Sequence, residues 1–399
     1  MEIEPVGEIR GEVKAPPSKS YTHRAFFLSL LAEGRSKVLE ALKCDDTRAT
    51  LGAIRTFGAE ASWEVVVPPE ELAPGNIDAR ESGTTARIAI ALASLAGGRS
   101  VINGKGRLRE RPMAPLVRAL NSLGVRVEGT RLPIEVIGGR VSGNSVEVDA
   151  SVSSQFVTAL LLLASKVGLR VRWNGIVSGP YVEMTLRTME AFGVEFERDE
   201  GIMVYPGVKG TVFKIPGDYS SASFFLVAGA LYGKIRVRNL DPRDVQADMA
   251  LIEILREVGA EVRVGVDYVE VERKDLRPFE IDCSPFPDLF PVLSVLAAYA
   301  PGRSVIRGKQ LRYKESDRVR AMAINLSRMG VNVRELPDGL EIRGGAPKGA
   351  MVKGFNDHRI TMAMAIAALG ARGKTIITDF RSVSKSYPSF FKDLRRVLG

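Results

Sequence analysis

Apolar and polar positions follow a pattern that recurs six times along the 399 residues of the chain. In each copy an apolar stretch of helical length ends at a glycine, and a short β-rich run follows it. These glycines are Gly34, Gly98, Gly168, Gly233, Gly302 and Gly373, at intervals of 64, 70, 65, 69 and 71 residues. Such regular spacing indicates an internal repeat of one supersecondary unit.

A second, amphipathic helix follows in each copy and is predicted to end at a glycine of its own. These glycines are Gly58, Gly124, Gly193, Gly259, Gly330 and Gly399. Alternating runs after them, such as "VRV", are typical of strands. The first helix, as in "ASFFLVAGALY", is apolar nearly all round, so we expect it to be buried and the second helix to lie nearer the surface. The pattern predicts an α/β (α+β) fold of six units.

The two ends of the chain are predicted to meet in one domain. The sixth copy lacks closing strands, whereas residues 1–14 form a strand-like piece with no helix before it. The N-terminus is therefore expected to complete the last copy. Three units per domain then predict one domain of residues 1–14 plus 216–399 and a second of residues 15–215, with hinges near 14–15 and 215–216.

Composition narrows the class of protein. The chain is 45% hydrophobic and 26% charged, which is ordinary for a globular protein. It shows no targeting segment, and its apolar runs are shorter than the roughly 20 residues that span a bilayer, so we expect a cytoplasmic protein without a membrane partner. Cys44 and Cys283 are interpreted as structural, and two histidines leave a zinc site short of ligands.

Polar residues collect where the six apolar helices begin, in the stretches "SKSYTHR", "ESGTTAR", "SVSSQF", "GDYSSAS", "SPFPDLF" and "FNDHR". Ser, Thr and Asp there can simply cap the helices. Capping accounts poorly for Lys19, Arg24, Arg87 and Arg359, because cations oppose the positive end of a helix dipole. A bound anion would reconcile them. With a net charge of +9, the sequence predicts an anion site where parallel helices share one face.

The chain resembles the EPSP synthase (3-phosphoshikimate 1-carboxyvinyltransferase) family over essentially its full length. The matching stretches are "PPSKSYTHR", "ESGTTAR", "LRERP", "VSSQF", "SGPYVEMT", "FPDLFPVL", "YKESDR", "NDHRITMA" and "SKSYP". The resemblance implies an inside-out α/β barrel of six βαβαββ repeats, three per domain, with the active site in the interdomain cleft. It implies transfer of the carboxyvinyl group of phosphoenolpyruvate to the 5-hydroxyl of shikimate 3-phosphate. No cofactor or metal and no nucleic acid are implied, and a monomer is expected.

Site residues carry over from the resemblance, position by position. The implied contacts of shikimate 3-phosphate are Lys19, Ser20, Arg24, Ser153, Ser154, Gln155, Ser178, Asp288 and Lys314. The implied contacts of phosphoenolpyruvate are Lys19, Gly83, Arg111, Gln155, Arg318, Arg359 and Lys385. Our hypothesis for the proton transfers assigns the 5-hydroxyl proton to Asp288, assisted by Lys19, and the C3 proton to Glu315.

Two alternatives stay open at this point. UDP-N-acetylglucosamine enolpyruvyltransferase shares the fold and phosphoenolpyruvate, but would carry Asn where this chain has Ser20 and a Cys or Asp in the loop "GKGRLRERP". An RNA 3′-end-processing protein of related repeat fold would also suit the basic charge. Single-strand binding favours cations interleaved with aromatic residues, whereas the cations here stand beside hydroxyl groups.

Overall fold

The chain folds into two compact units in the computed structural model, which describes residues 1–398. The terminal unit consists of Met1–Pro16 with Pro216–Gly399, and the middle unit of Pro17–Ile215. Backbone hydrogen bonds from Ala15 N to Arg238 O (3.0 Å) and from Asp218 N to Pro16 O (2.8 Å) attach residues 15 and 16 to the terminal unit. The first boundary between the units therefore falls between residues 16 and 17, two residues beyond the predicted position between residues 14 and 15.

Twelve α-helices lie within the described residues: α1 (Lys19–Leu31), α2 (Asp45–Thr56), α3 (Gly83–Leu92), α4 (Ala114–Ser122), α5 (Gln155–Val167), α6 (Pro180–Ala191), α7 (Tyr219–Tyr232), α8 (Leu251–Val258), α9 (Phe290–Tyr299), α10 (Arg318–Arg328), α11 (His358–Leu369) and α12 (Phe390–Leu398). Every residue of α7 and α11 is buried, and α1, α3, α5 and α9 are nearly as enclosed. The even-numbered helices bury one face only. This confirms the predicted contrast between the two helix types.

The strands are β1 (Glu2–Ile3), β2 (Ile9–Lys14), β3 (Ser36–Leu39), β4 (Glu60–Ala61), β5 (Val65–Val67), β6 (Asn76–Asp78), β7 (Gly98–Asn103), β8 (Arg126–Glu128), β9 (Ile134–Gly138), β10 (Ser145–Asp149), β11 (Leu169–Asn174), β12 (Phe196–Arg198), β13 (Ile202–Val204), β14 (Val212–Lys214), β15 (Gly233–Arg238), β16 (Glu261–Val264), β17 (Tyr268–Glu272), β18 (Glu280–Asp282), β19 (Gly302–Arg307), β20 (Asn332–Leu336), β21 (Gly339–Gly344), β22 (Met351–Lys353) and β23 (Thr375–Thr378).

These strands form six small mixed sheets, three in each unit. The middle unit contains β14-β3-β5-β4, β6-β7-β9-β8 and β10-β11-β13-β12; the terminal unit contains β16-β17-β15-β2, β18-β19-β21-β20 and β1-β23-β22. Each four-stranded sheet contains one parallel and two antiparallel strand pairs, and the parallel pair lies at one edge of the sheet. In the parallel pairs β6-β7, β10-β11, β18-β19 and β22-β23, the connecting segment contains a buried helix, the usual crossover of parallel strands.

The N-terminal segment is two strands and not the single piece expected. β1 pairs with β23, Glu2 opposite Ile376, so the N-terminus does add a strand to the sheet of the sixth copy. β2 pairs instead with β15, Gly11 opposite Ile235. Pro5 and Gly7 lie between the two strands, and proline lacks the N–H that a continuous ladder needs.

Glycine ends the helices less uniformly than predicted. α5 and α7 end directly before Gly168 and Gly233, but α1 ends at Leu31 and α11 at Leu369, three residues or more before Gly34 and Gly373. Those glycines have φ near +90° to +100° and serve the turn into the next strand. The glycines predicted to end the amphipathic helices agree better with the prediction. The five glycines after α2, α4, α6, α8 and α10 all have positive φ, and Gly399 lies outside the described residues.

Candidate active site

The N-terminal parts of the three buried helices α1, α3 and α5 meet in the middle unit. The Nη2 of Arg24 on α1 donates to the hydroxyl of Thr158 on α5 (3.3 Å). The Nε2 of Gln155 on α5 donates to the hydroxyl of Thr84 on α3 (3.0 Å). The three helices therefore begin at one place, where their dipoles and first N–H groups favour an anion.

Gly83 allows two guanidinium groups to approach the start of α3. A Cβ atom on Gly83 would lie 2.6 Å from Nη1 of Arg111 and 3.1 Å from Nη1 of Arg87. Arg87 is fully buried, donates to Oε1 of Gln155 (2.5 Å) and stacks over the ring of Phe156, 5.0 Å from its centre. Two mostly buried arginines and the N-terminus of a helix are thus gathered at one glycine.

Lys19 and Arg24 are held differently at the start of α1. Nζ of Lys19 forms an ion pair with Oδ2 of Asp46 (2.7 Å), and these side chains are only 14% and 11% exposed. Arg24 donates to the hydroxyls of Thr185 and Thr158 and to the carbonyls of Ser20 and Tyr181. Burial lowers the pKa of Arg24 to about 10. Arg24 remains a cation at neutral pH, and most of its donors bind the protein.

The predicted serines flank α5 and α6. Ser153 and Ser154 precede α5, and the hydroxyl of Ser153 accepts a hydrogen bond from the backbone N–H of Gln155 (3.3 Å). Ser178 is buried shortly before α6 and has a φ of +56°, an unusual conformation for a residue with a side chain. Such backbone is costly and occurs where local structure fixes a side chain at a functional position.

Arg318 organises the cluster in the terminal unit. It is fully buried at the start of α10 and donates to three carboxylates: Nη1 to Asp288 (2.8 Å), Nη2 to Glu315 (2.9 Å) and Nε to Asp357 (3.0 Å). Asp357 also caps α11, since it accepts from the backbone N–H of Arg359 (2.9 Å). One guanidinium fork therefore links both predicted acid/base carboxylates to the start of a buried helix.

Asp288 also accepts from Nη2 of Arg359 (2.9 Å). Burial raises the pKa of Asp288, but the surrounding cations, Arg359 first, outweigh burial and hold this pKa well below its ordinary value. Arg318 and Lys314 add to the effect, and Glu315 opposes it. Asp288 is therefore an ionised and weakly basic carboxylate in this arrangement.

Lys385 completes the cluster from the segment before α12. It is buried, and its Nζ donates to the carbonyl of Asn356 (2.6 Å). Phe355 and Asn356 both have positive φ, 51° and 52°, immediately before the cap of α11. Two consecutive left-handed residues turn the chain sharply here and direct the Asn356 carbonyl toward a cation.

The structure adds three residues that the sequence did not single out as site residues: Asp46, Arg87 and Asp357. In the sequence, Arg87 stands out only as a cation at a helix start. Asp46 and Asp357 resemble ordinary helix-start acids in sequence, because their functional partners, Lys19 and Arg318, are distant along the chain. Spacing offers one signal for Asp46: it lies 27 residues after Lys19, much as Arg111 lies 28 after Gly83.

Several other titratable groups are inert. His23 bonds through Nδ1 to the hydroxyl of Thr50 (2.6 Å), and burial followed by the charge of Lys19 keeps its pKa well below the ordinary value. Burial raises the pKa of Cys44 to about 11 and that of Cys283 well above its ordinary value, so both thiols stay protonated, as expected for structural cysteines. Across residues 1–398, no group of three or more His, Cys, Asp or Glu is placed to bind a metal ion.

No helix within residues 1–398 combines the length and apolar character needed to cross a membrane. Buried cations and carboxylates at helix starts define an enzyme that acts on small anionic substrates and moves protons. A family profile for EPSP synthase (3-phosphoshikimate 1-carboxyvinyltransferase) matches residues 3–394. The chain belongs to this family, a result that favours neither of the two alternatives left open by the sequence.

Individual relatives agree with the family match. The chain is 65% identical to 3-phosphoshikimate 1-carboxyvinyltransferase of Thermococcus kodakarensis over 399 residues, all of both chains. It is 63% identical to the protein of the same name from Pyrococcus abyssi, covering all of this chain and 97% of that one. Among solved structures, EPSP synthase from Acinetobacter baumannii superposes with a TM-score of 0.81 at 26% identity, covering 99% of this chain and 97% of the other.

Proposed function

We propose that the chain is a 3-phosphoshikimate 1-carboxyvinyltransferase (EC 2.5.1.19). It transfers the carboxyvinyl group of phosphoenolpyruvate to the 5-hydroxyl of shikimate 3-phosphate by addition and elimination through a tetrahedral ketal. The reaction releases phosphate and belongs to the shikimate pathway of aromatic amino acid biosynthesis. The observation that carries the assignment of roles is the Arg318 fork, which holds Asp288 and Glu315 on one guanidinium.

The middle unit supplies the groups that bind shikimate 3-phosphate. The phosphate and carboxylate of shikimate 3-phosphate contact Lys19 and Ser20 at the start of α1. They also contact Ser153, Ser154 and Gln155 at the start of α5, and Ser178 adds a hydroxyl group. Backbone N–H groups, helix dipoles and cations act together at such a place. Arg24 contributes its charge from behind this surface, because four of its hydrogen bonds go to the protein.

Phosphoenolpyruvate binds through cations from both units. In the middle unit, Arg111 beside Gly83 provides one guanidinium group, and Lys19 and Gln155 provide further contacts. In the terminal unit, the contacts are Arg318, Arg359 and Lys385. Both substrates carry a phosphate and a carboxylate, so they repel each other strongly when water is excluded. The cations offset this repulsion and let the two molecules come into contact.

Substrate binding activates Asp288 as a base. The same guanidinium groups that suppress its pKa, those of Arg359 and Arg318, also attract the phosphate and carboxylate of phosphoenolpyruvate. Each hydrogen bond that moves from Asp288 to the substrate raises the proton affinity of Asp288. The carboxylate can then accept the 5-hydroxyl proton, with Lys19 assisting, as the hydroxyl oxygen attacks C2.

Glu315 handles the C3 proton. It donates a proton to C3 as the ketal forms and takes one back as phosphate leaves, so each turnover restores its protonation state. Its side chain is 22% exposed, which allows its proton to exchange with solvent between the two steps. Lys314, its neighbour in sequence, contributes positive charge for shikimate 3-phosphate. Positioned acid/base groups of this kind contribute roughly 10²- to 10⁴-fold in rate.

The test separates the two carboxylates. Asp288→Asn should lower kcat by about 10²- to 10⁴-fold, a larger change than in the KM for either substrate. Glu315→Gln should abolish exchange of C3 hydrogens of phosphoenolpyruvate with solvent. Asp282→Asn, an exposed aspartate at the end of β18, is the control and should behave as wild type. Exchange that survives in Glu315→Gln would overturn the division of roles.

The proposed contacts of phosphoenolpyruvate belong to both units, so residues of both units are proposed to act on the same pair of substrates. We therefore propose an inside-out α/β barrel of six βαβαββ repeats, three per unit, whose units close around the substrates and exclude water. The enzyme is proposed to work as a cytoplasmic monomer without a cofactor.

A further inference from the structure

An open cavity lies in the terminal unit at the C-terminal ends of α7 and α9. Its volume is about 460 Å³, a size typical of small-molecule sites. Leu231 in the last turn of α7 and Tyr299, the last residue of α9, both line it. Asp288 lies just before the other end of α9, whose ten residues rise about 15 Å along the axis. The cavity is therefore separate from the candidate active site.

Part of the lining of the cavity is apolar. The residues that provide this surface are Leu231, Leu276, Tyr299 and Pro301. Tyr299 is held in place, because its hydroxyl donates to the carbonyl of Ala367 on α11 (2.5 Å) and its ring packs edge-on against that of Tyr232, with 5.6 Å between the ring centres. A ligand that packs on a ring already fixed in this way causes little further loss of side-chain entropy.

The remaining lining residues are charged: Arg273, Lys274 and Asp275. Lys274 is neutralised by Glu261 (3.2 Å) and Glu272 (3.5 Å). Arg273 and Asp275 are exposed, and within residues 1–398 neither side chain forms a hydrogen bond or an ion pair. Exposed charges are often simply solvated, but these two line a cavity that also offers apolar surface. One guanidinium and one carboxylate are thus available to a ligand.

The end of α7 distinguishes the two charges. The backbone N–H of Arg273 donates to the carbonyl of Gly233, directly after α7 (2.7 Å), so the charged segment lies against the C-terminal end of that helix. A helix carries partial negative charge at this end, which suits Arg273 and opposes Asp275. A bound ammonium group beside Asp275 would compensate both the carboxylate and the helix end. A bound carboxylate would match the planar fork of Arg273.

We propose that this cavity binds a free α-amino acid with a large apolar side chain. The carboxylate of the amino acid pairs with Arg273, its ammonium group pairs with Asp275, and its side chain packs on the apolar lining. Aromatic amino acids belong to this class, and they are the products of the pathway to which the proposed function belongs. The binding argument uses only the cavity and does not depend on the proposed function.

Calorimetric titration of the full chain with L-phenylalanine tests the proposal, with shikimate 3-phosphate present to occupy the cations at the helix starts. We expect saturable binding of one L-phenylalanine per chain. L-Alanine lacks the apolar side chain, 3-phenylpropanoate lacks the ammonium group and 2-phenylethylamine lacks the carboxylate. Each of these three compounds should bind about tenfold more weakly or worse.

Two variants locate the binding. Arg273→Gln and Asp275→Asn each remove one charge of the cavity, and both side chains are exposed and unpaired, so the variants should fold as wild type does. Each should weaken L-phenylalanine binding roughly tenfold. Arg277→Gln is the matched control, because Arg277 is an exposed arginine of the same segment that does not line the cavity. It should bind L-phenylalanine as wild type does.

Three outcomes overturn the proposal: no saturable binding of L-phenylalanine up to millimolar concentration, equal affinity in Arg273→Gln and Arg277→Gln, or 3-phenylpropanoate binding as tightly as L-phenylalanine. The second outcome also detects L-phenylalanine bound at the candidate active site instead. Carboxyvinyl transfer uses none of the cavity residues, so a protein that binds L-phenylalanine here but shows no turnover would overturn the proposed function alone.

Discussion

At the scale of single residues, Gly83 is the candidate site residue whose missing side chain leaves room for a cation. The guanidinium of Arg111 occupies the space that a Cβ would need, and Arg87 lies close behind it. Both arginines are buried, so neither can move freely into solvent. The absence of one methyl group thus determines where a cation of the site lies.

Gly83→Ala should therefore displace Arg111 and weaken phosphoenolpyruvate binding. A lost charge-assisted hydrogen bond costs about 1.5 to 3 kcal/mol, so we expect KM for phosphoenolpyruvate to rise roughly 10- to 100-fold with a smaller change for shikimate 3-phosphate. Gly52→Ala is the matched control, since nothing lies within 4 Å of its added Cβ and it sits in the middle of α2. Equal KM values for the two variants would contradict the packing argument.

The sequence indicates some of the candidate site residues and gives no signal for others. The cations at Lys19, Arg318 and Arg359 stand out because they oppose a helix dipole or occur in charged loops. Asp46 and Asp357 do not stand out, because an acidic residue near a helix start is ordinary. Their partners, Lys19 and Arg318, are 27 and 39 residues away along the chain, and only the tertiary structure shows these contacts.

At the scale of elements, hydrophobic periodicity predicted the buried and amphipathic helices well, because burial on all sides requires apolar residues all round. The N-terminal segment was predicted less well. Its split into β1 and β2, which join different sheets, depends on strand partners more than 200 residues away. Long-range pairing of that kind leaves no local signal in an alternating sequence.

The cap of α11 shows how an element and the site depend on each other. Asp357 accepts from the backbone of Arg359, the hydroxyl of Ser316 and Nε of Arg318, and it is fully buried. Asp357→Asn leaves the Arg318 charge partly unpaired, so it should lower the free energy of unfolding by about 3 to 5 kcal/mol and weaken phosphoenolpyruvate binding.

The control for that prediction is Asp317→Asn. Asp317 caps α10 through the N–H of Arg320 but is 30% exposed, so its loss should cost about 1 kcal/mol. Urea unfolding at pH 7 measures both variants. Similar losses in the two would mean that Asp357 acts as a cap alone.

At the scale of the whole molecule, two buried carboxylates give stability opposite dependences on pH. Folding lowers the pKa of Asp288, so its stabilising effect is present above about pH 4 and is lost as the pH falls further. Folding raises the pKa of Asp248 to about 7, so the unfolded chain ionises first and stability falls between about pH 4 and pH 7.

Asp248→Asn removes the second effect. The variant should match wild type near pH 4 and exceed its free energy of unfolding by a few kcal/mol at pH 8. Urea unfolding at both values measures the difference. A difference independent of pH would show that folding does not change the pKa of Asp248.

The proposed closure of the two units also belongs to this scale. Small-angle scattering should show a smaller radius of gyration with shikimate 3-phosphate and an unreactive analogue of phosphoenolpyruvate together than with either alone. An unchanged radius with both ligands would contradict closure.

The central claim is that the two clusters bring phosphoenolpyruvate and shikimate 3-phosphate together for carboxyvinyl transfer. Phosphate release from phosphoenolpyruvate, measured with shikimate 3-phosphate and separately with UDP-N-acetylglucosamine as acceptor, tests it most directly. We predict turnover with shikimate 3-phosphate only. Release with UDP-N-acetylglucosamine instead, or with neither acceptor, would contradict the claim.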